Sequence, residues 1–460
     1  MLNNMCFPVN FETRMRDLLR TDYDAFAESI INGKNVRSLR VNTKKISVEE
    51  FVKISPYSME KIDYNDDGFY ITDDVRMGGE ACHQAGMIYM QEPSAMIPIN
   101  AVTVEKGWKV LDLCAAPGGK TAQLSNAVAE NGMVVSNDIK FDRCKALIEN
   151  VERLGLSNVI ITSGAGDEIC RNFRNYFDLA LVDATCSGEG MFRKNPNLMV
   201  TWSEKRVASC VAIQKQLLDW ATTTLRSDGI LVYSTCTFSL DENEKVVDWF
   251  LRTHPEFSLV DVNDSVKAHT TPGVSINNDF NFEKTRRFYP HTERGEGQYV
   301  AVMKKNSSCQ ESTCICRVNK IKEDDLESVR SFLSHLGVDV EPERIYIHSE
   351  RVWILPKEKI VLKKHVVNHG VFLGTLSNGI ITPSHAFFMA FGHDFNNQLN
   401  LSLGSAPLSQ YLQGRDLRMP CGDGWGAVCV EGCTIGGFFA KRGVLHNLYP
   451  KNLTNKDIFE

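Results

Sequence analysis

The chain has 460 residues, 43% of them hydrophobic and 23% charged, with a formal net charge of −6. The length exceeds one ordinary core and implies roughly two to four domains. The composition excludes a disordered chain, and the mild acidity excludes a protein coated in positive charge while leaving room for a local basic groove.

Residues 1–95 mix short helical and strand patterns and read as an α+β extension. Arg14 to Arg20 has the spacing of an amphipathic helix, and Ser38 to Thr43 alternates as a strand does. Residues 96–305 then alternate strand and helix. Strands are expected at Lys109–Leu113, Gly132–Ser136, Asn158–Thr162, Phe177–Val182 and Gly229–Tyr233. Between two of them Phe141, Cys144, Leu147, Ile148, Val151 and Leu154 share one helical face. This order predicts an α/β domain with a mostly parallel sheet and helices on both faces. Ligands of such sheets bind at the carboxyl ends of the strands. Residues 306–375 read as a polar linker over Asn306–Cys316, a helix over Asp324–Leu336 and strands around Ile345–Ile347 and Arg351–Ile354. Residues 376–460 hold glycines and aromatics in short runs, Trp425–Val430 and Thr434–Phe439 among them, and read as a small β-rich module.

Fourteen cysteines raise the question of disulfides or zinc. The start, Met1-Leu2-Asn3-Asn4-Met5, has neither a basic leader nor an apolar core. No stretch reaches the roughly 20 apolar residues that span a bilayer. The expectation is a cytoplasmic protein with reduced thiols and no membrane partner. Cys309, Cys314 and Cys316 lack paired C-x-x-C spacing and a fourth ligand, so no metal is expected.

The loop Cys114-Ala115-Ala116-Pro117-Gly118-Gly119-Lys120 follows a strand and precedes a helix. Small residues there admit a ligand close to the backbone, and a helix N-terminus adds donors. Gly119-Lys120-Thr121 resembles the end of a phosphate loop, but that motif needs glycine where Cys114 stands, and the dinucleotide fingerprint is absent. An adenosine-type cofactor remains. Asp138 lies about 20 residues on, where an acid accepts from ribose hydroxyls; as a bland alternative it caps a helix.

A cysteine on a strand is usually core filler, and Cys114, Cys144, Cys170, Cys210 and Cys429 fit that description. Cys186 and Cys236 each follow a strand in a small polar loop, and Asp183 stands at the end of the first strand. Carbon 5 of cytosine takes a methyl group only after a thiolate has added to carbon 6. A carboxyl group near ring nitrogen 3 stabilises the charge that develops. A second thiol assists expulsion of the first. One acid and two cysteines therefore form a coherent set, in which these residues alone do not say which thiol attacks.

Leu111 to Thr121, Val182 to Lys194 and Tyr233-Ser234-Thr235-Cys236-Thr237 resemble the Sun-type RNA 5-methylcytosine methyltransferases. The likeness is nearest to the bacterial ribosomal small-subunit methyltransferase F group and spans nearly the whole chain. Gln91 to Met96 resembles the segment before the catalytic domain, Tyr289-Pro290-His291 and Gly295-Glu296-Gly297 resemble its end, and Gly443 to Lys451 looks like the group's PUA-like module. The resemblance implies a Rossmann-like class I methyltransferase domain, S-adenosylmethionine as donor, and RNA as partner, most concretely a cytosine of 16S ribosomal RNA in the small subunit. It makes Cys236 the nucleophile, Cys186 the release thiol, and places Cys114 to Lys120, Asp138 and Asp183 at the donor. Two positions depart from the pattern. Thr185 replaces the usual proline, which loosens the expected hold on Cys186. Ala165 stands where an acid often meets the adenine side, with Asp167 two residues later as a substitute.

A target base must leave its stack before it meets the thiolate. Candidate RNA contacts are Arg193 and Lys194 beyond Cys186, Arg286 and Arg287, and Lys441 and Arg442 in the tail, with Arg37 and Arg40 less central. Each has a solvated-surface alternative. A monomer is expected. The competing functional readings are a transfer-RNA or DNA cytosine methyltransferase and an RNA-binding protein of the same fold that has lost turnover.

Overall fold

The computed structural model describes residues 7–72, 80–306, 311–316 and 321–454. Met1–Met5 and Cys309 lie outside them. The first helices, Val9–Leu19 and Tyr23–Ile31, bury Phe11, Met15 and Phe26 against Phe192, Trp202, Phe238 and Tyr289. An antiparallel sheet follows, in the order Met59–Lys61, Gly68–Ile71, Ser38–Val41, Ile88–Met90.

The central unit is built on one large sheet. Its parallel centre runs Leu225–Thr235, Phe177–Asp183, Lys109–Asp112, Met133–Asn137, Val159–Thr162. Gln298–Lys305 pairs antiparallel with Leu225–Thr235. Alternate strand residues face opposite cores. Val110, Val134, Leu179 and Leu181 pack with Leu124, Leu147 and Val151 of the helices Gly119–Val128 and Phe141–Arg153. Leu111, Val135, Ala180 and Val182 pack with Leu218 and Phe250 of the helices Glu204–Thr222 and Glu244–Thr253. The period of two along each strand therefore covers both faces, as in doubly wound α/β folds. The strand expected at Gly229–Tyr233 begins earlier, at Leu225, because an irregularity between Leu225 and Ile230 absorbs the turn-like Ser227-Asp228-Gly229.

The polar stretch read as a linker is partly paired. Thr313–Cys314 forms a short ladder with Phe173–Arg174, and Cys316 bridges to Leu362. Beyond it the helix Glu323–Leu336 packs on a sheet in the order Ile345–His348, Arg351–Ile354, Val371–Ser377, Ile380–Pro383. Val371–Ser377 runs across the boundary placed at residue 375. Val366–Asn368 leaves this unit and adds an antiparallel strand to the edge of the large sheet, beside Val159–Thr162. The last unit is a sheet of Gln398–Leu401, Gly424–Val430, Cys433–Lys441, Val444–Asn447 and Leu417–Arg418. Its Leu399, Val428 and Ile435 share a core with Leu39, Val41 and Phe51 of the N-terminal unit. Among the described residues no helix is long and apolar enough to cross a membrane.

Arg287 is a correction to the surface reading. It is fully buried on the strand Arg286–Phe288 and pairs with the equally buried Glu244, Nε donating to Oε1 at 2.7 Å. Nη1 donates to the Phe238 carbonyl at 2.9 Å, two residues past Cys236. A charged group this deep persists only with a fixed counter-charge. Glu244→Ala leaves the guanidinium unpaired, and the expected loss is about 3–5 kcal/mol, measured as a lower urea midpoint with an unchanged slope.

Candidate active site

The strands Phe177–Asp183 and Leu225–Thr235 run parallel in register, with Tyr233 opposite Val182 and Ser234 opposite Asp183. Their loops leave the sheet at one level, and the sulfurs of Cys186 and Cys236 lie 3.3 Å apart. Gly190 N–H donates to the Cys236 carbonyl at 2.9 Å, tying one loop to the other. Cys186 is buried, and its hydrogen bond to Cys236, then burial, push its thiol well above the usual range. At rest it therefore keeps its proton, beside the Cys236 sulfur. Asp183 ends its strand beside them. Lys120 Nζ donates to its Oδ2 at 2.8 Å, and Ser234 Oγ to its Oδ1 at 2.6 Å. Thiols, acid and donor loop thus meet at one sheet edge.

The loop after Lys109–Asp112 is cradled from below. Gly118 has φ +112°, and a Cβ there would meet Leu147 Cδ1 at 2.9 Å, so only glycine fits. It precedes the helix Gly119–Val128, whose first N–H groups point at the sheet edge. Ala115 N–H donates to the Asn137 carbonyl at 2.7 Å. The Asn137 amide donates to the carbonyls of Leu113 and Gly164, each at 3.2 Å, so one side chain laces three strand-end loops. Asp138 follows, buried, accepting from Lys140 N–H at 3.0 Å and facing Arg143 at 3.2 Å. Ile139 beside it is 66% exposed, an apolar surface next to an acid. Small residues, backbone donors, an acid and an uncovered apolar side chain together suit an adenosyl group with a charged tail. Asp167 pairs with Arg171 one turn along its own helix, and Ala165 N–H donates to Glu168 Oε2 at 3.2 Å. Thr185 does not leave its loop free, because Gln214 Nε2 donates to the Thr185 carbonyl at 3.1 Å.

Of the expected RNA contacts, Lys194, Lys441 and Arg442 are exposed. Arg193 is a correction. Its side chain is only 7% exposed, with Nε donating to Glu296 Oε1 at 3.1 Å and Nη2 to the Gly295 carbonyl at 2.7 Å. Like Arg287, it is the counter-ion of a buried carboxylate, so its basic neighbour Lys194 alone faces water. Arg286 is half-buried and donates to Thr270 Oγ1 at 2.9 Å and the Lys267 carbonyl at 3.0 Å. Arg40 is also internal, its Nη2 2.7 Å from Asp67 Oδ2.

Several supporting residues escaped the sequence reading. Glu189 is buried and accepts from Arg14, from Trp202 Nε1 at 2.9 Å and from Phe238 N–H at 3.2 Å. Glu242 accepts from both cysteine loops, as set out below. Asn243 accepts from Thr235 Oγ1 at 2.6 Å and donates to the Thr237 carbonyl at 2.9 Å. The run Asp241-Glu242-Asn243-Glu244-Lys245 has the composition of a solvated surface. The one available signal is that it immediately follows a cysteine loop.

A sheet edge of this kind belongs to a class I methyltransferase, with S-adenosylmethionine as donor and carbon 5 of RNA cytosine as acceptor. Residues 100–304 match the family model for 16S rRNA methyltransferase RsmB/F. Residues 7–93 match the N-terminal domain of 16S rRNA methyltransferase RsmF, 331–391 the first C-terminal domain of RsmF rRNA methyltransferase, and 398–455 the methyltransferase RsmF PUA domain. Ribosomal RNA small subunit methyltransferase F of Enterobacter sp. (strain 638) is 30% identical, over 98% of this chain and 96% of its own. That of Vibrio atlanticus (strain LGP32) is 30% identical over 99% of both. A solved methyltransferase homolog protein from Pyrococcus horikoshii is 28% identical with a TM-score of 0.58, covering 65% of this chain and 96% of its own. NSun6 from the same organism, solved with SFG, shares the fold at a TM-score of 0.56 and 20% identity, covering 66% of this chain and 99% of its own. The chain belongs to the 16S rRNA methyltransferase RsmB/F family, with the four-part architecture of its RsmF members.

Asp112, at the base of the donor loop, gives the site a measurable pH signature. It is fully buried, accepts from Thr121 Oγ1 at 2.7 Å, and burial pushes its carboxyl up to about 7. An unfolded chain releases this proton near pH ~4. Between those values the folded state binds more protons, so stability falls as pH rises. Asp112→Asn removes the titration. Its stability relative to the parent chain is expected to climb by about 1.4 kcal/mol per pH unit up to neutrality and then level off. Urea unfolding of both proteins across that range checks the slope.

Proposed function

We propose that this chain methylates carbon 5 of a cytosine in 16S ribosomal RNA, presented by the small ribosomal subunit, with Cys236 as nucleophile and Cys186 as release thiol. The observation that carries the reading is the 3.3 Å approach of the two sulfurs at the sheet edge that also holds Asp183 and Lys120. The Cys186 thiol, raised by burial and by its neighbour, keeps its proton within reach of the Cys236 sulfur; the thiolate is the form that attacks. Sulfur adds to carbon 6, and the ring electron pair moves toward carbon 5. Asp183 is the acid that faces the ring nitrogen 3 edge, and the Lys120 ammonium bonded to it supplies the positive charge that offsets the negative charge developing there. S-adenosylmethionine supplies the electrophilic methyl group, and Cys114 to Lys120 with Asp138 are the residues that would hold it. A water molecule takes the proton from carbon 5, that C–H electron pair restores the ring double bond, and the Cys236 sulfur departs with the electron pair of its bond to carbon 6. Cys186, donating to that sulfur, assists its departure. One chain supplies both thiols, the acid and the donor loop, which supports a monomeric enzyme; the setting proposed is the cytoplasm, where small subunits assemble. Lys194, Lys441 and Arg442 are the cations proposed to meet RNA phosphates.

The test incubates the protein with methyl-labelled donor and small subunits, naked 16S RNA or transfer RNA, then maps 5-methylcytosine. Product in the first or second substrate supports the reading. Product confined to transfer RNA, or none anywhere, overturns it in favour of the alternative enzyme or the binding protein. Cys236→Ala is expected to abolish both product and covalent protein–RNA adduct, whereas Cys186→Ala accumulates adduct. Asp183→Asn is expected to lower kcat by about 10²–10³-fold. Adduct that survives Cys236→Ala and vanishes with Cys186→Ala reverses the two roles.

A further inference from the structure

The segment Asp241-Glu242-Asn243-Glu244 buries a carboxylate, Glu242, directly beneath the two thiol loops. Its Oε1 accepts from the Ser187 N–H at 2.8 Å and from Gln214 Nε2 at 3.2 Å. Its Oε2 accepts from Ser187 Oγ at 2.5 Å and Thr237 Oγ1 at 3.4 Å, and those two hydroxyls lie 2.8 Å apart. Ser187 is the neighbour of Cys186, and Thr237 the neighbour of Cys236. The backbone of Glu242 is fixed in turn, since Tyr233 Oη donates to its carbonyl at 2.5 Å.

The two loops do not depend on this carboxylate equally. Cys236 follows a strand paired on both sides, with Thr235 opposite Tyr299 and Ser234 opposite Asp183. Cys186 sits in an irregular loop. Its flanks are held by Gln214 at the Thr185 carbonyl and by Glu242 at Ser187, and Gln214 itself donates to Glu242. Thr185 lacks the fixed φ of a proline, so beside the backbone ties of Ala184 to Ser234 and Gly190 to Cys236 the hold nearest Cys186 comes from those side chains.

Building on the roles proposed above for the two thiols, we propose that Glu242 is a positioning residue for the release step: it clamps the Cys186 loop to the Cys236 loop and so sets the distance between the sulfurs. It hydrogen-bonds Ser187, Thr237 and Gln214 rather than either sulfur, and its charge also raises the Cys186 thiol through space. Removing the clamp displaces Cys186 and leaves Cys236 in place. Attack and methyl transfer continue while expulsion slows, which is the signature of a lost release thiol and not of a damaged fold.

The test uses the full chain in a Cys314→Ser, Cys316→Ser background, because those two sulfurs also lie close, at 2.9 Å. Glu242→Gln removes the second acceptor. Ser187→Ala removes the hydroxyl contacts to Glu242 and Thr237 and keeps the backbone N–H bond to Glu242. For Glu242→Gln the ratio of trapped adduct to released product is expected to rise about tenfold or more, and for Ser187→Ala by less. A second readout needs no RNA. Phenylarsine oxide bridges paired thiols, and its affinity is expected to drop about tenfold in Glu242→Gln, while the rate of Cys236 alkylation by iodoacetamide stays within about twofold. Unchanged arsenical affinity, or adduct and product falling together in both variants, overturns the assignment. If the parent chain makes neither adduct nor product, the methyltransferase reading fails, and the arsenical measurement still decides whether Glu242 sets the thiol pair.

Discussion

Two parallel strands that end level with each other, Ser234 opposite Asp183, are the constraint from which the chemistry at the sheet edge follows. Parallel pairing slants the backbone hydrogen bonds evenly, so neither strand can slip without breaking the whole ladder. The loops that continue from those ends are short and carry a thiol each. Their remaining freedom is removed by carboxylates placed underneath: Glu189, Glu242, Glu244 and Glu296 are all buried. A carboxylate away from water needs its acceptor positions filled, and the groups that fill them are the loops themselves, Arg14, Arg193 and Arg287, with Trp202 and Gln214. Precise placement of reacting atoms is thus obtained from electrostatic satisfaction around the loops as much as from packing.

The N-terminal unit contributes to the same arrangement. Phe11 and Phe26 reach across to Phe192 and Phe238, the latter two residues beyond Cys236, and Phe238 stacks on Tyr289. Arg14 pairs with Glu189 from the same helix as Phe11. The extension therefore acts as a wall of the thiol loops, in addition to any part it plays toward RNA.

Much of the fold was legible because it rests on periodicity. Alternation of Val110 with Leu111 and of Leu179 with Ala180 between two cores reads directly as a two-sided sheet, and the loop glycines and strand-end polar residues mark where a ligand meets it. The Cys114–Lys120 loop, Asp138, Asp183 and the two cysteines were singled out for that reason and through the family's motifs, and the fold brings them to one sheet edge. Arg193 and Arg287 were misread because a basic pair in a sequence looks the same whether its partner is a phosphate or a buried glutamate far along the chain. Glu296 lies 103 positions from Arg193, and no local pattern announces such a pairing. Glu242 was missed for the converse reason: a run of acids with a lysine has the composition of solvent-facing helix, and only the tertiary structure reveals that Glu242, Asn243 and Glu244 all turn inward. The bent path of the chain through Val366–Asn368 is equally invisible, since three residues of strand character carry no address for the sheet they join.

That small strand has a consequence for how the molecule holds itself together. By pairing with Val159–Thr162 it seals what would otherwise be a bare β-edge, the kind of surface that recruits foreign strands into aggregates. A chain cut off after the large sheet would expose that rim to its neighbours. The C-terminal half is in this sense a guard as well as a tail, and the enzyme is better regarded as one interlocked body than as beads that can be unthreaded.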